Sequence, residues 1–581
     1  MATQWKIKPS FERDIQDYLK QVKGISPMLA RILINRDISP QDAEHIINSP
    51  LEGIVRPSFI YGAEEAAAHI AEYIKKDNAK FFVFADYDVD GLTSGYIMGD
   101  YLSKYHDTAV KYPERSEGYG LSMDWSKTLV EKYENHKNES WMVITVDNGI
   151  TKHEEVQYLT EHGIQVIVTD HHEPIMGEPP ALAVCDPKLS YDPSSPAFDL
   201  CGAAVAWYVC MIIDDILKDD VQGTRIQSYL PYVAVATISD VMPMNPSNSA
   251  LVNLGLKELN DKKQDAISSL MEAVDVSFPL TAKKVGWEIG PRLNACGRMN
   301  DIKLGAKLFA RSNKQEIAFA IDRLNTDRKA EQKKMLKKAS DSYNEDESPF
   351  ICIVVAEDAE YPGIAGGVAG QLADKYHHPA IILNYADGML SGSARSYGNI
   401  NLIPAFEEAQ AKGFIEGYGG HAQAAGVSLK PNMLASFRKF MNEYLGSLPQ
   451  AEVAEPDETV MIDGELSFDF ITREAYSEIN RIPYDKDVMP EPRFMFRNVT
   501  VEDTKFSKNN PNNVQFTFID MRGNRRKFWA WGKGDDYKRL GKPKCMDVIA
   551  TIDECGFGFE KGNITLANID FRKAEDDFGA A

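Results

Sequence analysis

Cysteine is scarce in this sequence: seven residues in 581, with no CxxC pair. That excludes a small disulfide-stapled scaffold and fits a reducing compartment. No uninterrupted apolar run approaches the roughly 18 residues of a membrane span. The opening residues, MATQWKIKPSFERD, lack the apolar core of a signal peptide. A soluble, cytoplasmic protein is the expectation. Positive charge is also in deficit, with 64 Lys and Arg against 86 Asp and Glu and a net charge of −22. This argues against a whole-surface attraction to nucleic acid but leaves room for a local basic groove, because individual contacts hold a phosphate backbone. Repeats are absent, and the length suits about three to five domains.

Residues 1–75 read as helical, with apolar positions at helical spacing in LARILINR and AEEAAAHIAEYIKK and with Ser39 as a cap. Residues 76–245 change character. KFFVFADYDVDGLTSGYIMGDYL reads as strand, acidic loop and helix, and WMVITVDNG and QVIVTDHHE repeat the strand-then-acid pattern. A mostly parallel sheet with crossover helices follows, with ligand groups at the C-terminal strand ends. Residues 246–345 read as a helical continuation ending in a long charged connector helix. A second α/β unit occupies 346–448, LPQAEVAEPDET reads as a linker, and 456–572 reads as a small β-barrel. RKAEDDFGAA reads as a tail. The fold class is α/β: a two-lobed core with a parallel sheet, a long joining helix and a C-terminal barrel.

Asp86, Asp88 and Asp90 stand at alternate positions just past a strand, which puts them on one side of an extended stretch. Asp147 follows a second strand, Asp170 and His171 a third, and Asp240 ends an apolar helix. Clustered carboxylates become tolerable when divalent cations lie between them. A carboxylate-rich set with one imidazole suits two Mn2+ or Mg2+ ions, whereas zinc would recruit Cys or several His. Gly91 and Gly149 let the backbone turn beside the ions. Any single one of these acids reads better as a surface residue; DYDVDG, VDNG, TDHH and SDVMP together do not.

Basic groups form a second pattern. Arg115 and Tyr119 stand in YPERSEGYGL, and Ser393 and Arg395 in SGSARS. A guanidinium fork matches phosphate oxygens and a hydroxyl donates to them. Asn294 and Arg298, in GPRLNACGRM, either contact phosphate or brace the metal loops. Residues 522–544 carry nine Lys and Arg against Asp535 and Asp536, a local charge of +7, interleaved with Phe528, Trp529 and Trp531. Such a surface tracks a single-stranded backbone and stacks bases, with Arg525, Arg526, Lys527, Trp529 and Trp531 as its contacts. The alternation in KFWAWG also allows one aromatic set to be core.

Together these motifs, with LNTDRK and GYGGHAQAAG, resemble the DHH phosphoesterase superfamily and specifically the bacterial RecJ family of single-strand exonucleases. The resemblance implies an OB-like barrel and two metal ions. Asp88, Asp147 and Asp86 would hold one ion; Asp90, Asp147, His171 and Asp240 the other, with Asp147 bridging. It implies a 5′-to-3′ exonuclease that hydrolyses single-stranded DNA to 5′ mononucleotides through a metal-activated water. Arg115, Ser393 and Arg395 would recognise the 5′ phosphate; Gly419, Gly420 and His421 would face the scissile phosphate. His172 would orient a ligand, contact phosphate or simply neighbour His171, and Asp170 would support the imidazoles. Single-stranded DNA is the implied partner, with a single-strand-binding protein or helicase alongside, and a monomer is expected. Two departures stand out: Ala85 replaces the family's glycine, and Tyr361 replaces a histidine. The competing readings are a DHH phosphodiesterase for short oligonucleotides or cyclic dinucleotides, a non-catalytic single-strand-binding scaffold, and a small-substrate pyrophosphatase.

Overall fold

In the first lobe five short apolar runs lie side by side, all in one direction. The computed structural model describes the chain except residues 1–3, 10, 49, 219–225, 263–264, 311, 358–359, 387, 450–458, 486–487, 509, 556–561 and 575–581. Most of the linker segment and the end of the tail therefore lie outside the described residues. Among the described residues no helix is long and apolar enough to cross a membrane.

The first-lobe strands are β1 (Ala79–Phe84), β2 (Thr108–Lys111), β3 (Ser140–Val146), β4 (Gln165–Thr169) and β5 (Ala183–Cys185). Their order is β2-β1-β3-β4-β5, all parallel. β3 and β4 are apolar nearly throughout because helices cover both faces. Helix α1 (Val89–Leu102) follows β1, and α2 (Gly202–Ile216) and α3 (Leu230–Ser239) pack beside it. Helix α4 (Gly290–Arg298) leads towards α5 (Lys314–Ser342), the long charged helix read from the sequence.

The second lobe contains β6 (Cys352–Val355), α6 (Ala365–Tyr376), β7 (Ala380–Ala386), β8 (Met389–Arg395), β9 (Gly417–His421) and β10 (Ala424–Leu429). Its sheet runs β9-β10-β8-β7-β6 and is mixed: only β6 and β7 are parallel. The parallel sheet therefore belongs to the first lobe, since short turns between β7 and β8 and between β9 and β10 can only return the chain antiparallel.

The barrel is built from β11 (Phe494–Phe506), β12 (Val514–Ile519), β13 (Arg525–Ala530), β14 (Cys545–Glu554) and β15 (Ile564–Lys573), in the order β13-β12-β11-β14-β15. The two end strands, β13 and β15, curl round to approach each other. The N-terminal region is mainly helical, and Ser39 does cap Pro40–Ile47 through the amide of Asp42. It also contains a strand, Trp5–Ile7, that pairs in parallel with Val460–Ile462 ahead of the barrel.

Candidate metal centre and phosphate cleft

The acidic residues converge at the C-terminal ends of the parallel strands. Asp86 lies just beyond β1, and Asp88 caps α1, its Oδ1 accepting the amide of Gly91 at 3.0 Å. Asp90 sits in the first turn of α1 rather than on extended chain, so helix geometry brings it beside Asp88. The start of α2 holds it, with the amides of Gly202 and Ala203 donating to its two oxygens at 2.6 and 2.7 Å. Asp147 follows β3 with a φ of 61°, and Asp240 ends α3.

His171 lies at the centre of this set. Its Nε2 is 3.0 Å from Asp147, 3.4 Å from Asp90 and 3.8 Å from Asp240. Three groups bring ligand atoms within 4.8 Å of one another: Asp86, Asp88 and Asp147; Asp90, His171 and Asp240; and Asp147, His171 and His172. Asp147 belongs to the group with Asp86 and Asp88 and to the group with His171 and His172, and lies outside the Asp90–His171–Asp240 group.

Electrostatics show what is missing from the protein alone. Burial, and then the neighbouring carboxylates, push Asp86, Asp147 and Asp240 well above the usual carboxylate range and Asp90 up to about 7. Buried Asp86 Oδ1 and Asp147 Oδ1 accept no hydrogen bond. Burial lowers His171 to about 3, which keeps its imidazole neutral and able to ligate. This donor set fits two hard divalent cations, which neutralise the carboxylates and satisfy their open oxygens.

Asp170 has a separate job. Its burial opposes ionisation, but His172 and several amides outweigh that and hold it at about 2. It accepts the amides of Ile150, His171 and His172 and lies 2.7 Å from the His172 Nδ1. Asp170 in turn raises His172 to about 9 against the effect of burial. Tyr119 places its hydroxyl 3.1 Å from the His172 ring. Ala85 is fully buried and is absent from the left-handed residues, so its methyl is accommodated without backbone strain.

A second cluster borders the carboxylates. Arg115 lies 4.6 Å over the Tyr87 ring, within the acidic loop, and its buried Nε has no hydrogen-bond partner. Arg298, at the end of α4, is lowered to about 10 by burial and then by Arg328, Arg115 and Arg395. Arg298 on α4 is thus near enough to feel Arg328 on α5, Arg115 of the first lobe and Arg395 of the second, and Arg395 feels Arg115. Asp88 is close enough to Arg298 to act on it, and Arg115 on Asp86. Asn294 is half-buried on α4.

In the second lobe, register aligns the remaining residues. Arg395 pairs with Ala424, which pairs with His421; Ser393 pairs with Gly426, which pairs with Gly419. Directly opposed residues share a face, so Ser393, Arg395, Gly419 and His421 form one surface. A Cβ on Gly419 would meet nothing within 4 Å, so the surface is bare there. The start of α6 presses on it: a Cβ on Gly366 would lie 2.6 Å from the Arg395 guanidinium. A helix N-terminus beside an arginine favours an anion between them. Among the described residues no contact joins His421 or Gly420 to the carboxylates. Tyr361 precedes the short turn into α6 and bonds Glu360, which raises its hydroxyl.

On the barrel, Phe528 and Ala530 point inward. Trp529 and Trp531 point outward and stack at 5.1 Å, which settles the alternation in KFWAWG. The local +7 is smaller in three dimensions. Arg522 pairs with Asp469, Arg525 with Glu502, Lys533 with Asp570, Lys538 with Asp535 and Arg539 with Asp536. Arg526, Lys527, Lys542 and Lys544 remain exposed.

Sequence reasoning missed Arg328, the helix start at Gly202, and Tyr87. Arg328 stands in LNTDRK, but a charged helix gives no local sign of which cation faces a cleft.

Comparison with known proteins matches three domain descriptions along the chain: the DHH family N-terminal domain over 80–237, the DHHA1 domain over 347–447 and the RecJ OB domain over 462–561. The single-stranded-DNA-specific exonuclease RecJ of Haemophilus influenzae is 30% identical over 479 residues, covering 78% of this chain and 81% of that one. The chain belongs to the RecJ family. The Bacillus subtilis RecJ is 28% identical over 88% of this chain, which spans 64% of that protein's length. Among solved structures, manganese-bound RecJ from Thermus thermophilus matches with a TM-score of 0.78 at 24% identity, covering 98% of this chain and 80% of that one. A second manganese-bound exonuclease RecJ matches with a TM-score of 0.56 at 29% identity, covering 67% and 96%. RecJ-family membership and the carboxylate–imidazole cluster together make this a metal-dependent hydrolase with two cation positions.

Proposed function

We propose that the chain is a metal-dependent exonuclease that degrades single-stranded DNA from its 5′ end, processively, to 5′ mononucleotides. One observation carries this reading: a buried carboxylate–imidazole cluster opens beside four guanidiniums drawn from both lobes. The first favours cations and the second an anion, so a phosphodiester bound by both would lie between them. Asp86, Asp88 and Asp147 would hold one ion; Asp90, Asp147, His171 and Asp240 would hold the other. Two divalent cations there supply Lewis acidity towards water and phosphate oxygens.

The chain's own groups do the rest. Asp170 fixes the His172 ring and keeps it protonated, so that His172 presents an N–H towards the phosphate. Tyr119 backs that ring. Arg115, Ser393 and Arg395 grip the terminal phosphate and set polarity. Asn294, Arg298, Gly419, Gly420 and His421 line the approach, and Arg525, Arg526, Lys527, Trp529 and Trp531 guide the strand on the barrel. Such an enzyme works as a cytoplasmic monomer in a prokaryotic or phage-infected cell, on strands exposed by a helicase or handed over by a single-strand-binding protein.

The test is a cation-dependent digestion series on end-labelled DNA and RNA, single- and double-stranded, with a 5′ phosphate or a 5′ hydroxyl. Mononucleotide release from 5′-phosphorylated single-stranded DNA in Mn2+ or Mg2+ is expected. Asp147→Ala should abolish cleavage and leave strand binding largely intact; near-normal turnover in that variant would sink the proposed centre.

A further inference from the structure

Among the described residues nothing hydrogen-bonds the Arg115 guanidinium, and its Nε is buried without an acceptor. Its backbone, by contrast, is fixed. Arg115 opens the single turn Arg115–Glu117, which Glu114 and Glu117 close with a reciprocal capping box. Lys111 in turn holds the Glu117 carboxylate at 2.7 Å. The side chain lies near like charges, because Arg298 and Arg395 both feel it. Something other than a hydrogen bond keeps this guanidinium at the cleft.

What it meets is an aromatic ring. Its guanidinium carbon lies 4.6 Å from the centroid of Tyr87. Tyr87 stands between Asp86 and Asp88, on the loop that gathers carboxylates for the metal centre. Helix α4 presses on that loop from behind: a Cβ on Gly297, the residue before Arg298, would come 2.0 Å from the Tyr87 carbonyl oxygen. The Tyr87 ring meets Tyr119 edge-on at 6.3 Å, and the Tyr119 hydroxyl lies 3.1 Å from the His172 ring.

A ring face attracts a guanidinium through its quadrupole and uses none of its N–H groups. The whole fork then stays free for the oxygens of a phosphate. A carboxylate in the same place would also hold the arginine, but it would occupy the donors that an anionic substrate needs.

We propose that Tyr87 is a positioning residue that acts through Arg115: its ring holds the guanidinium ready for the terminal 5′ phosphate and leaves the fork unoccupied. The proposal rests on the nuclease reading above. It assigns part of the end preference of that site to a side chain of the metal loop.

Two substitutions separate a ring face from apolar bulk. Tyr87→Phe keeps the face, and Tyr87→Leu keeps bulk without one, so packing alone treats them alike. The end preference is KM for a 5′-hydroxyl strand divided by KM for the 5′-phosphorylated strand. Tyr87→Leu should cut that ratio about tenfold, through KM rather than kcat, and Tyr87→Phe should keep it within about twofold. Fluorescence anisotropy of 3′-labelled oligo-dT in EDTA, with either 5′ end, reads the same ratio without turnover. Arg115→Ala should also lose the preference, and adding Tyr87→Leu to it should change nothing further.

Equal ratios in the Phe and Leu variants overturn the proposal. So does a further fall when Tyr87→Leu is added to Arg115→Ala, which would route the effect of the ring through Tyr119 and His172. A chain whose binding loses the end preference in Tyr87→Leu, but whose wild type cleaves no strand, keeps the positioning role and defeats the nuclease reading.

Discussion

A Cβ added to Gly202 would lie 2.7 Å from the Cβ of Asp147 and 2.9 Å from its Oδ1. The same residue donates its amide to Asp90. One hydrogen-for-methyl exchange therefore displaces the proposed bridging carboxylate and disturbs a ligand of the second ion. Misplacement of reacting groups by about 1 Å costs on the order of 100-fold in rate. Gly202→Ala should lose cleavage by about that factor and weaken Mn2+ binding in calorimetry; wild-type Mn2+ affinity would show that the carboxylates absorb the methyl. Arg328 gives a second test at this scale. It donates to Asn325 and Gln332, and it is near enough to Arg298 to act on it. A hydrogen bond to a charged group contributes roughly 1.5–3 kcal/mol. Arg328→Ala should therefore raise KM for 5′-phosphorylated strands about tenfold or more. An equal effect on kcat alone would place the residue outside strand binding.

At the scale of elements, the strand-then-acid pattern was legible except at Asp90, which the alternation put on extended chain and the structure puts in the first turn of α1. DYDVDG, VDNG, TDHH and SDVMP each end an apolar segment, and all four meet at one end of the parallel sheet. The strand Trp5–Ile7 was not legible, because three residues give no measurable alternation and its partner lies at Val460–Ile462. The same long-range join contains an ion pair. Arg36 and Asp463 are only 7% and 6% exposed, Asn35 donates to Asp463 at 3.0 Å, and the Arg493 amide donates at 3.1 Å. Removing one partner leaves a buried charge alone, at a cost of about 3–5 kcal/mol. Asp463→Ala should lower the thermal midpoint and expose the barrel junction to limited proteolysis. The double variant Arg36→Met with Asp463→Leu should recover much of the loss, since an apolar pair of similar volume avoids the charge penalty. Failure of the double variant to recover would mean that the surrounding amides, rather than the arginine, make Asp463 necessary.

For the whole molecule, a net charge of −22 and an anionic substrate are compatible because the charges are sorted in space. Acids are gathered where cations bind, and Arg115, Arg298, Arg328 and Arg395 are gathered beside them from segments far apart in sequence. No local reading of the chain shows that meeting; it needs α5 to set the second lobe against the first. The barrel's basic stretch runs the other way, looking stronger in sequence than in space, because Asp469, Glu502 and Asp570 come in from outside it to pair with three of its cations. Strand binding should therefore depend on few free cations. Each phosphate contact with a single strand contributes about −0.7 to the slope of log K against log salt. The four arginines with Arg526, Lys527, Lys542 and Lys544 set a slope of roughly −5.6. Replacing Arg526 and Lys527 together by Ala should flatten it by about 1.4 and weaken binding alike for all sequences. A titration series in NaCl, read by anisotropy in EDTA, checks both figures. A slope of roughly −9 would mean the paired barrel cations release their acids to bind DNA. An unchanged slope in the double variant would remove Arg526 and Lys527 from the path.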